Sequence, residues 1–206
     1  SMTSLEVLLK RHNLKMVDVT TNGINGGSFR AFVAHADSAE MFETNETRNR
    51  INHIRNIESE MHFNDPKTYF EFASRVEKIR EECVNFVKKE TAAGKKIYVY
   101  GASTKGNVVL QYFGLDHTTI IAAADRNPIK FGKKTIGTLI PIISEEDARN
   151  QKPDYFFVMP WFFLKEFISR EHAFLERGGK FIAVIPEFRL IDLNGTNREI
   201  QRNASY

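Results

Sequence analysis

The 206-residue chain has one cysteine, Cys83, and one tryptophan, Trp161. A lone thiol cannot close an internal disulfide or build a thiolate zinc cluster, and such sparing use of cysteine reads as cytoplasmic. No apolar run approaches the ~20 residues of a membrane helix, and no hydrophobic leader stands near the start. Neither sign of charge dominates. The 29 Lys and Arg and 26 Asp and Glu are mixed along the chain and leave a net charge of +3, with no basic arm or stripe for nucleic acid. The histidines (His12, His35, His53, His62, His117, His172) show no H-x-H or H-E-x-x-H spacing, so no metal is expected in this chain. No serine stands in a G-x-S-x-G elbow. The Asn-x-Ser/Thr triplets at Asn45, Asn194 and Asn203 read as chance occurrences outside a secreted context.

What is present suits a folded chain, with 42% hydrophobic and 27% charged residues. The length allows one good core plus a smaller satellite. Ser1-Met2 reads as a leftover ahead of a native start, which sets the expectation that the sequence is cut from a longer protein. Leu5, Leu8 and Leu9 at helical spacing predict a short helix from Ser4 to Arg11. Leu14 to Thr21 and Ser28 to His35 are β-branched and aromatic runs around a glycine-rich loop, which predicts an antiparallel strand pair. Asp37 to Thr47 is polar and reads as loop. Ile51, Ile54, Ile57 and Met61 mark the apolar face of a charged helix. A long linking helix is expected from Pro66 to Ala93, with Tyr69, Phe72, Ala73, Val76, Ile79, Cys83, Phe86 and Val87 on one face and Gly94 just past its end.

From Lys95 the pattern alternates. Strands are predicted at Ile97 to Tyr100, Thr119 to Ala124, Leu139 to Ile143, Tyr155 to Met159 and Lys180 to Ile185, and helices at Thr104 to Phe113, Ser144 to Asn150 and Phe163 to Arg177. Apolar strands alternating with helices indicate an α/β fold, a Rossmann-like parallel sheet with flanking helices, which places ligands at the carboxyl ends of its strands. The expected division is an N-terminal appendage over 1–94, holding the first helix, the strand pair and two further helices, a Rossmann-like domain over 95–191 and a polar tail over 192–206.

The sharpest local signal is Gly101-Ala102-Ser103-Thr104-Lys105-Gly106-Asn107, where a strand runs through a glycine-bracketed turn into a helix. Two glycines permit a tight turn and close backbone approach, the amides and positive dipole end of the helix favour an anion, and Lys105 adds a mobile charge. The spacing matches neither the dinucleotide G-x-G-x-x-G nor the P-loop. The same glycines could instead serve only to pack a helix on a sheet. Asp125 follows the second strand, where nucleotide-binding folds put an acidic ribose partner, but it could equally cap the turn Asp125-Arg126-Asn127-Pro128. Arg126 and Lys130 in that loop could meet phosphates or remain solvated. Pro160-Trp161 follows the Tyr155 strand, so the indole could stack on a base or sugar, or simply pack beside Phe162 and Phe163. Pro186-Glu187 sits at the same edge, with Glu187 a candidate acceptor for sugar hydroxyls or a plain rim carboxylate.

Taken in order, these motifs carry a resemblance. Gly26-Gly27-Ser28-Phe29-Arg30, the Tyr100 to Asn107 turn, Asp125-Arg126-Asn127-Pro128, Gly137-Thr138 with Ile140-Pro141-Ile142, Pro160-Trp161, and Gly178-Gly179-Lys180-Phe181 with Pro186-Glu187 resemble the C-terminal domain of SAM-dependent sugar C-methyltransferases acting on nucleotide-linked keto-deoxy sugars. The resemblance implies that the Gly101 turn and its neighbours help hold the nucleotide-sugar. It also implies an upstream domain, outside this chain, that binds S-adenosylmethionine and carries the catalytic groups, and a zinc-binding domain before that. The implied reaction removes a proton beside the sugar's keto group, stabilises the enolate and transfers the methyl to carbon. No catalytic residue is expected here. Two departures stand out: Asn25 where the family usually has histidine, and Phe162 where it usually has asparagine. A non-catalytic nucleotide-sugar-binding module and an NAD(P)-dependent oxidoreductase domain are the alternative readings.

Overall fold

The computed structural model describes residues 1–197, and the chain divides into two units, Ser1–Ser74 and the part from Arg75 onward. The polar tail beyond Asn197 lies outside the described residues.

In the first unit, α1 (Met2–Lys10) begins where the Ser1 hydroxyl accepts the Ser4 amide. The strands β1 (Leu14–Asn22) and β2 (Ser28–His35) pair antiparallel, with a register irregularity between Met16 and Asp18. Met2, Leu9, Met16 and Val19 close with Ile51 into a small core. The stretch expected as loop after Asp37 is more ordered than its polarity suggests. A 3-10 turn spans Ala36–Phe42, and α2 (Asn45–Glu60) starts earlier, because Thr44 and Thr47 exchange side-chain and backbone hydrogen bonds as a capping box. Helix α3 (Pro66–Ala92) starts at the proline as expected.

The division between the units falls inside α3, earlier than the Gly94 boundary read from the sequence. Its later turns carry the cause: Ile79, Cys83, Val84, Phe86 and Val87 pack with the apolar residues of the large sheet. Burial pushes the Cys83 thiol pKa well up, so it sits there as a small apolar group.

The second unit is the expected α/β fold. Its elements run β3 (Ile97–Tyr100), α4 (Thr104–Phe113), β4 (Ala123–Asp125), β5 (Ile142–Ser144), α5 (Glu145–Asn150), β6 (Tyr155–Val158), α6 (Leu164–Arg170), α7 (His172–Glu176), β7 (Lys180–Ala183), β8 (Arg189–Asp192) and β9 (Gly195–Asn197). The sheet order is β5-β4-β3-β6-β7-β8-β9, parallel through β7 and antiparallel beyond it. The last two strands were not read from the sequence, which placed the tail from Asp192. Leu110 and Phe113 of α4 join one core layer, and Ala148 of α5, Phe167 of α6 and Phe174 of α7 join the other, so helices cover both faces.

Among the elements of this unit that depart from expectation, three do so for a clear local reason. Strand β4 starts late because Asp116 draws the Thr118 amide and hydroxyl and the Ile120 amide into a turn. Strand β5 starts late because the Thr135 hydroxyl accepts the Ile140 amide and Leu139 takes a left-handed conformation, φ 56°. The single helix expected from Phe163 to Arg177 is broken at Glu171, whose carboxylate turns inward to Arg149 and Tyr100.

Candidate functional site

Strands β3 and β6 are neighbours, and the connections that leave them run to opposite faces of the sheet: α4 after β3, α6 and α7 after β6. Their carboxyl ends therefore flank the crevice where an open α/β sheet takes its ligands. Residues 101–107 leave β3 there and residues 159–163 leave β6. The two turns touch. Gly101 adopts φ 87°, and a Cβ on it would lie 2.9 Å from Pro160 Cγ and Cδ. A Cβ on Gly106 would lie 2.6 Å from that of Met159. Both glycines are thus needed for backbone conformation or close approach, as the sequence suggested.

Ser103 caps α4 by accepting the Gly106 amide on its hydroxyl at 3.0 Å. The remaining first-turn amides of α4, including those of Thr104 and Lys105, have no partner within the helix. Lys105 is exposed, and its ammonium lies 5.7 Å from the Trp161 ring centroid and 5.6 Å from that of Phe162. Those rings meet edge-on at 5.4 Å. Phe162 packs beside Trp161, as the sequence suggested, and also forms half of the platform under Lys105. Asn107 carries a buried side-chain oxygen that accepts no hydrogen bond in the structure.

Asp125 ends β4 and is buried. Its Oδ1 accepts the Asn127 amide at 2.8 Å, which is the local turn cap, while Oδ2 accepts the Ala102 amide at 2.9 Å and the Lys130 ammonium at 2.8 Å. Lys130 Nζ also donates to the Ala102 carbonyl at 2.9 Å. Ala102 is therefore held through both its backbone groups, and the Gly101 turn and the Asp125 loop form one hydrogen-bonded piece. The local reading of Asp125 is realised, and a second contact, to the glycine turn, is added to it. Arg126 turns aside to Glu166, 3.5 Å away. Pro186 and Glu187 follow β7 at the same sheet edge and are exposed.

Behind the crevice lies a charged network that the sequence did not reveal. Glu171, 2% exposed, takes Arg149 on both carboxylate oxygens and accepts the Tyr100 hydroxyl. Arg170 donates to Tyr100 and to Glu145, and Glu145 also pairs with Arg149. Burial works to raise the Glu171 pKa, but Arg149 and Tyr100 outweigh it and hold the carboxyl below its ordinary range. Burial and the Glu171 carboxylate push the Tyr100 hydroxyl pKa up, so it stays protonated as a donor. Tyr100 immediately precedes Gly101, so the network fixes the start of the turn. Nothing in residue spacing could have shown that a glutamate in a helical stretch faces inward.

Among the described residues, no group of three or more His, Cys, Asp or Glu is placed to hold a metal ion, and no helix is long and apolar enough to cross a membrane.

Residues 23–186 match the family described as C-methyltransferase C-terminal domain. The chain is also 37% identical over 196 residues to the C-methyltransferase NovU of Streptomyces niveus, a match that covers 95% of this chain and 46% of that protein. It thus spans about half the length of this curated relative. On the extent of the family match, the chain belongs to the C-methyltransferase C-terminal domains.

Proposed function

We propose that this chain is the nucleotide-sugar-binding part of a SAM-dependent C-methyltransferase that acts on keto-deoxy sugars. One observation carries the reading: at the β3/β6 crevice a rigidly held glycine turn, a capped helix start, Lys105 and the Trp161 ring converge. The amides of the turn and Lys105 suit a diphosphate, whose charge they complement. Trp161 offers an apolar face to a base or sugar ring. Asn107 and Glu187 are proposed to contact sugar hydroxyls, and Arg126 to meet phosphate when drawn from Glu166. Asp125 and Lys130 act through the turn, keeping the Ala102 amide and carbonyl fixed.

S-adenosylmethionine supplies the methyl group in the proposed reaction, and its adenosine does not suit this crevice. Asp125 Oδ2, the natural partner for a ribose hydroxyl, already accepts two hydrogen bonds, and the exposed Lys105 charge beside the Trp161 ring suits an anion rather than a sulfonium. This supports placing the donor outside the crevice, and the same reading assigns the catalytic groups and any zinc to a preceding domain. The work of the present residues is to bind and orient the sugar. The lone, buried Cys83 fits a cytoplasmic setting.

Titration calorimetry tests the reading. A dTDP-linked keto-deoxy sugar should bind the 206-residue chain saturably, and SAM and NAD should give no heat beyond dilution. Binding of NAD with none of the sugar nucleotide would favour an oxidoreductase domain and overturn the proposal.

A further inference from the structure

The first unit contains a strand whose sequence and position disagree. β2 is an edge strand of a two-stranded sheet, yet it reads Phe29-Arg30-Ala31-Phe32-Val33-Ala34, apolar on both faces as interior strands are. Its register with β1 sets Ala31 opposite Val19 and Val33 opposite Met16, so Phe29, Ala31 and Val33 share the face on which the small core lies. The core nonetheless stops short there: Phe29 is 36% and Val33 42% exposed, and Phe32 on the other face is 42% exposed. Free strand edges are usually blunted with charge or proline, and β2 has only Arg30 to do so. A two-stranded sheet is also marginal by itself.

We infer that β2 is an interior strand of a larger sheet, whose open edge seats an apolar strand from the polypeptide that longer relatives carry outside the matched region. Two observations select that occupant. The family match starts at residue 23, between β1 and β2, so the hairpin straddles the start of that match and its first strand lies outside the matched region. More than half of NovU lies outside the region this chain matches. A strand rather than a helix is required, because only a strand pairs the outward N–H and C=O groups of β2 while covering side chains on both of its faces. The inference rests on the proposed function only in naming the donor of that strand as the SAM-binding domain.

Hydrogen exchange tests it on two proteins, this chain alone and full-length NovU, with light scattering to fix the mass of each. After correction for intrinsic rates, the outward-facing amides of residues 28–35 should exchange on the order of 100-fold faster in this chain than their aligned counterparts in NovU. Fast exchange in both would mean that nothing seats on the edge. Protection in this chain as a monomer would assign the cover to its own residues, and protection in a dimer would assign it to a second copy. Each of these three results overturns the inference. Sugar-nucleotide calorimetry reads the Gly101 turn and not β2, so the two proposals fail by separate measurements.

Discussion

At the residue scale, Asp125 is the hinge pin of the site. Its two oxygens join the Ala102 amide, the Asn127 amide and Lys130. Replacing it with alanine leaves the Ala102 and Asn127 amides unpaired beside a buried position and Lys130 with only the Ala102 carbonyl, and the expected loss is about 2 to 3 kcal/mol of folding stability, read by urea denaturation. Asp125→Asn keeps one accepting oxygen and should lose less; equal losses would contradict the assignment of separate work to the two oxygens. Gly101→Ala tests the turn itself. With φ at 87° and Pro160 only 2.9 Å from a new Cβ, it should cost roughly 1 to 3 kcal/mol and weaken sugar-nucleotide binding as the turn shifts. Unchanged stability and affinity would show that the close approach is not needed. The glycine turn was legible because only glycine tolerates such backbone. The double duty of Asp125 was only half legible, since the turn cap is local and the Ala102 contact spans 23 residues.

At the element scale, the Glu171 network joins α5, the α6–α7 break and the end of β3. Because the folded-state pKa of Glu171 is depressed, its stabilising contribution is present above the unfolded carboxyl value of about 4.3 and is lost as pH falls through the lower folded value. Stability of the chain should therefore decline below about pH 4.3, and Glu171→Gln should flatten that part of the curve. The substitution should itself cost about 3 kcal/mol at neutral pH, the lower end for a buried pair because Arg149 is 40% exposed. A parallel acid profile in wild type and Glu171→Gln would remove the network from the account. Regular elements with clear periodicity and caps were legible: β3, α4 and the start of α3 fall where the pattern put them. The break at Glu171 and the β8–β9 hairpin were not. The first depends on a buried ion pair distant in sequence, and the second on antiparallel pairing with β7, which carries Leu190 and Ile191 into the core.

At the scale of the whole molecule, the α/β architecture follows from alternation of apolar strands and helices, and it brings Lys105 and Trp161 together across 56 residues of sequence. That convergence at the β3/β6 crevice was foreseeable only as two turns at one sheet edge; the platform of Trp161 and Phe162 under Lys105 needed the structure. If the methyl donor binds elsewhere, the 206-residue chain given labelled SAM and a keto sugar nucleotide should transfer no methyl, and robust turnover would move the catalytic groups into it. The central claim, that a nucleotide-sugar occupies this crevice, is tested most directly by the emission of Trp161, the only tryptophan in the chain. Titration with a dTDP-linked keto-deoxy sugar should give a saturable change in that emission, and Lys105→Ala should shift the midpoint to weaker binding by roughly 1 to 3 kcal/mol, the range for a charge-assisted contact. Emission that stays constant while calorimetry registers binding, or a midpoint indifferent to Lys105→Ala, would contradict it.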